Sequence, residues 1–210
     1  EIAIQTELQS MQKHGVFGEV QELPKGVKPI GQRMVFNKKL DADGNLARYK
    51  ARLVAKGYTQ KLGIDYDETY APVMDATTYR YLIALATHYS LEFDTMDVVT
   101  AFLYGELNHE IWMDAPSGYQ EMTQEGLVRP VVQLKRALYG LKQSGRVWFE
   151  RLRTFLSNKG FSNNEISTCV FTKRVDTEFV IVSIYVDDLN ILGTKKIQME
   201  TKQLLSGNFE

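Results

Sequence analysis

The sequence predicts an α+β fold in which short antiparallel hairpins pack against amphipathic helices. Three observations predict it. Residues 32–56 alternate around Asp41-Ala42-Asp43-Gly44, the pattern of two strands and a tight turn. Phe179-Val180-Ile181-Val182-Ser183-Ile184 is an apolar, largely β-branched run, and Leu189-Asn190-Ile191-Leu192-Gly193 follows after Tyr185-Val186-Asp187-Asp188, which reads as a second hairpin. Between these, Tyr79, Leu82, Ile83 and Ala86, then Trp148, Leu152, Phe155 and Leu156, recur at helical spacing.

In chain order, Ile4, Leu8 and Met11 mark a short amphipathic helix over 2–14, and Leu23-Pro24-Lys25-Gly26 a loop. In the returning strand of the first hairpin, Arg48, Lys50, Arg52 and Lys56 share one face and Tyr49, Ala51, Leu53 and Ala55 the other. Such a row of cations suits a triphosphate or a nucleic-acid backbone, and equally a plain solvated face. Residues 57–75, with Gly57, Gly63 and Pro72, read as irregular, and Asp65, Asp67 and Glu68 as surface acids of that loop. Asp75 caps the helix that carries Tyr79 to Ala86. A strand over 91–98 carries Asp97 near its end. Residues 109–128 read as mainly loop with a short strand near Ile111–Met113, and another strand is expected at Val131–Leu134. Ser144 is placed as the cap of a helix that Gly160 ends. Strands near Val170–Lys173 and the second hairpin follow, then a helix from about Lys196.

With 210 residues, 44% hydrophobic and 24% charged, the chain has room for one large domain or two small ones. No apolar run reaches the length of a membrane span, and the first twenty residues carry no signal-peptide pattern, so neither membrane insertion nor secretion is expected. The first residue is Glu1, which fits a chain begun inside a longer reading frame or trimmed. A single cysteine, Cys169, excludes an internal disulfide, fits a reducing compartment and reads as core. His14, His88 and His109 are far apart and read as surface or cap residues. The net charge of −1 hides segregation. Residues 25–61 carry ten Lys/Arg against two Asp, 62–125 twelve acids against one Arg, and 129–159 eight Lys/Arg against one Glu. Basic blocks suit a polyphosphate partner; the acidic block suits a metal site or balances its neighbours.

Two adjacent carboxylates between apolar strands repel each other, and aspartate is a poor strand former. A divalent cation would relieve that repulsion. A turn that merely tolerates aspartate is the plainer reading. If the fold brings Asp97 beside Asp187, the chemistry is that of two-metal phosphoryl transfer, which needs no protein nucleophile. No serine–histidine or cysteine–histidine arrangement is evident.

Five stretches, in order along nearly the whole chain, resemble the reverse transcriptase of copia-type long-terminal-repeat retrotransposons. They are Arg48-Tyr-Lys-Ala-Arg-Leu-Val-Ala-Lys-Gly-Tyr-Thr-Gln60, Glu68-Thr-Tyr-Ala-Pro-Val73, Met96-Asp-Val-Val-Thr-Ala-Phe-Leu-Tyr-Gly-Glu-Leu107, Ala137-Leu-Tyr-Gly-Leu-Lys-Gln-Ser144 and Tyr185-Val-Asp-Asp-Leu189. The resemblance implies a right-hand polymerase: a fingers-like region over 1–90 with the basic hairpin, and a mainly palm region over 91–210, with 126–160 partly returning to the fingers and an antiparallel palm sheet against helices. It implies Asp97, Asp187 and Asp188 as catalytic carboxylates and two Mg²⁺ ions, with Mn²⁺ as a substitute, held by Asp97, Asp187, Asp188 and the Val98 carbonyl. Lys38, Lys50, Arg52, Phe102 and Gln143 would meet the deoxynucleoside triphosphate, Phe102 as a ring that rejects a 2′-hydroxyl. Lys142, Ser144, Arg146 and Tyr185 would meet nucleic acid. The implied partners are an RNA template, a DNA primer and the rest of the Pol polyprotein, including thumb and ribonuclease H, which this sequence does not reach. The implied setting is cytoplasmic, in virus-like particles, or nuclear. Gly145 stands where the family usually has proline, and Arg33-Met34-Val35 lacks the family's usual tryptophan. The alternative is a retrotransposon-derived fragment that binds nucleic acid without catalysis.

Overall fold

The computed structural model describes residues 1–119 and 126–210. The chain divides into two compact units, Glu1–Thr69 with Phe102–Trp148, and Tyr70–Ala101 with Phe149–Glu210.

The first unit opens with helix α1 (Ile2–Lys13), which buries Glu7, Leu8 and Met11. Strand β1 (Phe17–Glu22) follows, a strand the sequence did not announce. The hairpin β2 (Gln32–Leu40) and β3 (Leu46–Ala55) forms as expected, its turn held by Asp41, whose carboxylate accepts the backbone N–H of Asp43 and Asn45. Strands β5 (Glu106–Asp114) and β6 (Pro130–Arg136) complete an antiparallel sheet in the order β1-β6-β5. The loop expected over 109–128 is thus corrected: its first part is the end of a nine-residue strand, and residues 120–125 lie outside the described residues. Met11, Leu53, Leu103, Ile111, Met113, Leu134 and Leu138 meet in one core, which buries the alternate positions of β3, β5 and β6.

The second unit is a five-stranded antiparallel sheet in the order β4-β10-β9-β8-β7: β4 (Glu92–Asp97), β7 (Ser162–Asn163), β8 (Val170–Val175), β9 (Glu178–Tyr185) and β10 (Asp188–Gly193). Its central strands β9 and β10 are the apolar runs of the sequence, buried because both have neighbours on each side. Helix α2 (Ala76–His88) is capped by Asp75, which accepts from the N–H of Thr77 and Thr78. Of its expected apolar stripe Leu82 and Ala86 are buried, whereas Ile83 is exposed. Helix α4 (Lys195–Ser206) packs against β9 and β10. Cys169 is buried there, and burial pushes its thiol up to about 11, as an inert core residue requires.

Helix α3 (Ser144–Asn158) contributes its first turn to the first unit and the rest to the second. The division therefore crosses the break expected at residue 90. Helix α2 goes with the second unit because it packs on β10, and residues 102–148 go with the first because β5 and β6 pair with each other and with β1. Among the described residues no helix is long and apolar enough to cross a membrane.

Candidate functional site

In the second unit, β10 lies antiparallel to β4 with Asp188 opposite Asp97, and the Val98 N–H donates to the Asp187 carbonyl at 3.0 Å. That bond fixes the register and makes Asp97–Asp188 the neighbouring non-hydrogen-bonded pair, the kind whose side chains stand closest. Alternation puts both carboxylates on one face of the sheet. Asp187 is the second central residue of a two-residue turn between β9 and β10, in which Tyr185 faces Asp188 across the hairpin. The turn takes its positive φ, 58°, at Val186 and not at Asp187, as a type II′ hairpin turn does. A β-branched residue there is strained, by about 1–3 kcal/mol. Asp97 and Asp188 are exposed and Asp187 half-buried. The Asp188 carboxyl is pushed above its ordinary value by partial desolvation, then by Asp187, then by Asp97.

A carboxyl that feels two others, as Asp188 feels Asp187 and Asp97, belongs to an oxygen donor set of the kind a hard divalent cation takes. Among the described residues no three acid, histidine or cysteine side chains stand close enough to hold an ion as they lie. Side-chain rotation, not backbone movement, is what remains for Asp97 and Asp188, because the ladder already pairs their backbones.

The first unit holds a separate group. The Arg52 guanidinium lies over the Tyr139 ring, 5.0 Å from its centroid, and Phe102 meets the same ring edge-on at 4.8 Å. Phe102 is half-buried in the 3₁₀ turn Ala101–Tyr104. The Tyr139 carbonyl accepts the Ala55 N–H at 2.8 Å, which ties that loop to the open edge of β3. Gly140 beside it has φ 93°, and a Cβ there would fall 2.1 Å from the Ala55 oxygen. On the same edge the Glu7 carboxylate accepts the Leu53 N–H at 2.9 Å. Burial raises Glu7 above its ordinary value, against the opposing pull of the Leu53 N–H, Arg52 and Lys50. Lys50 is lowered by desolvation and then by Arg52, Arg48 and Lys39.

The remaining expected residues fall out as follows. Lys50 and Arg52 share a face, but Lys38 pairs with Tyr49 and so faces the opposite side of the hairpin, apart from the two cations it was expected to join at the triphosphate. Gln143 is buried, its amide donating to the Asp65 carbonyl and accepting from Gln60, and Gln60 in turn accepts the Lys142 N–H. Ser144 is buried too, as the first residue of α3, and its hydroxyl donates to the Leu138 carbonyl. Both polar groups are therefore turned inward, as struts of the loop. Lys142 is exposed, its ammonium 5.5 Å from the Tyr66 ring. Arg146 meets Glu68 at 2.5 Å, the His109 Nε2 lies 3.2 Å from Asp67, and the Asp65 carboxylate accepts the Lys61 N–H at 2.7 Å, so each acid of the 61–68 loop has a partner. Tyr185 is half-exposed at the end of β9.

Sequence reasoning passed over Tyr139 and Glu7. Tyr139 lies inside a matching stretch, next to the glycine whose backbone approach it shares. Glu7 is an acid between apolar positions of α1, and an ionisable residue on a core-facing stripe is the signal that marks it.

The family model "Reverse transcriptase (RNA-dependent DNA polymerase)" matches residues 16–210, and the chain belongs to that family. It is 42% identical over 195 residues to the "Retrovirus-related Pol polyprotein from transposon TNT 1-94" of Nicotiana tabacum, covering 92% of this chain and 14% of that protein. It is 39% identical over 187 residues to the Pol polyprotein from transposon RE2 of Arabidopsis thaliana, covering 89% of this chain and 13% of the relative. The chain thus spans about a seventh of the length of these relatives. A foamy-virus protease–reverse transcriptase solved with double-stranded DNA aligns over 100% of this chain and 30% of its own, at 16% identity and a TM-score of 0.42.

Proposed function

We propose that this chain is the fingers-and-palm core of an RNA-directed DNA polymerase. It extends a DNA primer on an RNA template from deoxynucleoside triphosphates and releases pyrophosphate. The observation that carries the reading is the register of β10 on β4, which sets Asp188 opposite Asp97 across about ninety residues of chain. The second unit serves as palm and the first, with its basic hairpin, as fingers.

Asp97, Asp187 and Asp188, with the Val98 carbonyl, are the residues that would hold two divalent ions, Mg²⁺ or in its stead Mn²⁺. Bound there, such ions supply Lewis-acid activation of the primer hydroxyl and charge stabilisation at the phosphorus. Asp188, whose carboxyl is raised by partial desolvation and then by Asp187 and Asp97, gains from that neutralisation. Arg52 and Lys50 bind the triphosphate oxygens. Stacking on Tyr139 holds the Arg52 guanidinium in plane, and a planar fork fits phosphate oxygens two at a time. Phe102, wedged against Tyr139, offers a flat ring that a 2′-hydroxyl would strike. Lys142 reaches the nucleic-acid backbone, and Arg146 does so once Glu68 yields to a phosphate.

The test is extension of a DNA primer on an RNA template with Mg²⁺, by the chain alone and carried within its natural reading frame. Extension that Asp187→Asn abolishes is the expected result. No extension in the longer frame, or extension indifferent to Asp187→Asn, defeats the reading. Salt-sensitive duplex binding without turnover would identify a nucleic-acid binder instead.

A further inference from the structure

Asp94 and Asp97 stand on opposite faces of β4, three residues apart. Asp97 shares its face with Asp188, while Asp94 turns toward α4. One Asp94 oxygen accepts from the Gln198 amide at 2.6 Å and from the Lys202 ammonium at 2.7 Å. Gln198 is only 4% exposed, and these two donors, Lys202 first, hold the Asp94 carboxyl below its ordinary value. Just past the C-terminal end of β4, the Val99 N–H donates to the carbonyl of Glu210, in the segment that follows α4, at 2.6 Å. That segment is seated by Phe209, buried and edge-on to Phe155 with centroids 4.9 Å apart.

The stretch Asp94–Val99 is therefore gripped at both ends by α4 and the residues after it, with Asp97 between the grips. Strand β4 needs this, because it lies at the edge of the sheet and has β10 as its one ladder neighbour. An isolated exposed ion pair contributes little. Here one carboxylate oxygen takes two donors, one of them from a buried side chain that would otherwise lack a partner, and such a group is costly to release.

We propose that Asp94, Gln198 and Lys202 form a clamp by which α4 positions the Asp97 carboxylate against Asp188, and so sets the affinity of the acid group for divalent ions. The three are positioning residues: they act through β4 and touch neither substrate nor ion. This rests on the reading of Asp97, Asp187 and Asp188 as ion ligands.

The experiment uses the full chain in two readouts. Without metal, hydrogen exchange reports the Val98 N–H, which is bonded to Asp187. With Mn²⁺, spin resonance of the free ion reports affinity. Lys202→Met is expected to speed Val98 exchange about tenfold relative to the protein's most protected amides and to weaken Mn²⁺ binding by up to about tenfold, the low end of what losing a group bonded directly to a ligand costs. Lys202→Arg is expected to preserve both. Asp94→Asn, which keeps the shape of the side chain, serves where Lys202→Met does not fold. Unchanged Val98 exchange in Lys202→Met or Asp94→Asn overturns the clamp. Failure of the ion-ligand reading looks different: the unaltered chain and Asp187→Asn then bind Mn²⁺ alike, while the exchange readout still judges the clamp.

Discussion

Replacing Gly140 by alanine should be the most damaging single-methyl change in the first unit, and the structure gives its size. An added Cβ would sit 2.1 Å from the Ala55 oxygen and 2.7 Å from Val54 Cγ1, at a φ of 93°. The left-handed backbone alone costs alanine about 1–2 kcal/mol. The clash is with backbone oxygen, so the Tyr139–Gly140 loop must leave the β3 edge, at about 1–3 kcal/mol for the overpacking. The hydrogen bond from the Ala55 N–H to the Tyr139 carbonyl then weakens, losing about 1 kcal/mol. A total near 3–6 kcal/mol corresponds to a fall in melting temperature of roughly 6–24 °C for a domain of this size. Two further variants separate the causes. Gly44→Ala has a φ of 83° and nothing within 4 Å, so it should show the backbone cost alone. Gly57→Ala has no positive φ but meets the Gly140 oxygen at 2.0 Å, so it should show the clash alone. Thermal unfolding followed by circular dichroism measures all three. Gly140→Ala no less stable than Gly44→Ala would refute the reasoning, because the two share the backbone conformation and differ in what the methyl strikes.

Three other perturbations have definite outcomes. Asp188→Asn should raise the melting temperature near pH 7, because a carboxyl whose folded pKa is raised contributes stability below its unfolded value and loses it as pH rises through the folded one. The gain should fade as pH falls below the carboxylate range, and a lower melting temperature at pH 7 would contradict the assignment. Glu7→Leu leaves the Leu53 N–H buried without an acceptor and should cost about 1–3 kcal/mol, while Glu7→Gln, which keeps an oxygen there, should cost less than half of that by urea unfolding. Phe102→Val should raise ribonucleotide incorporation relative to deoxyribonucleotide in primer extension; an unchanged ratio removes Phe102 from sugar selection.

Much of this architecture was legible in the sequence, because the governing signals are local. The β2–β3 hairpin is written in alternation and a turn that Asp41 holds. Asp75 before a helical stripe gave α2 its start, and the apolar runs gave β9 and β10. What stayed hidden depends on distant partners. Strand β1 is short, contains Gly18 and buries none of its residues fully, so only pairing with β6 makes it a strand. The first half of β5 reads Glu106-Leu-Asn-His-Glu110, too polar for a strand by composition, and its register shifts before Ile111. The side on which Lys38 falls depends on a register that shifts between Lys39 and Leu40. For the acids the sequence named the residues. The meeting of Asp97 with Asp188 follows from a strand order that no local pattern encodes.

That strand order has a kinetic corollary. The β9–β10 hairpin closes through a two-residue turn and can form within microseconds of its own accord. Strand β4 cannot: it emerges from the ribosome first and waits, unpaired, until a segment about ninety residues later supplies its ladder partner. The acid group should therefore be among the last features to mature, and a nascent chain stalled before residue 188 should expose β4 to proteases and chaperones long after the first hairpin has become resistant.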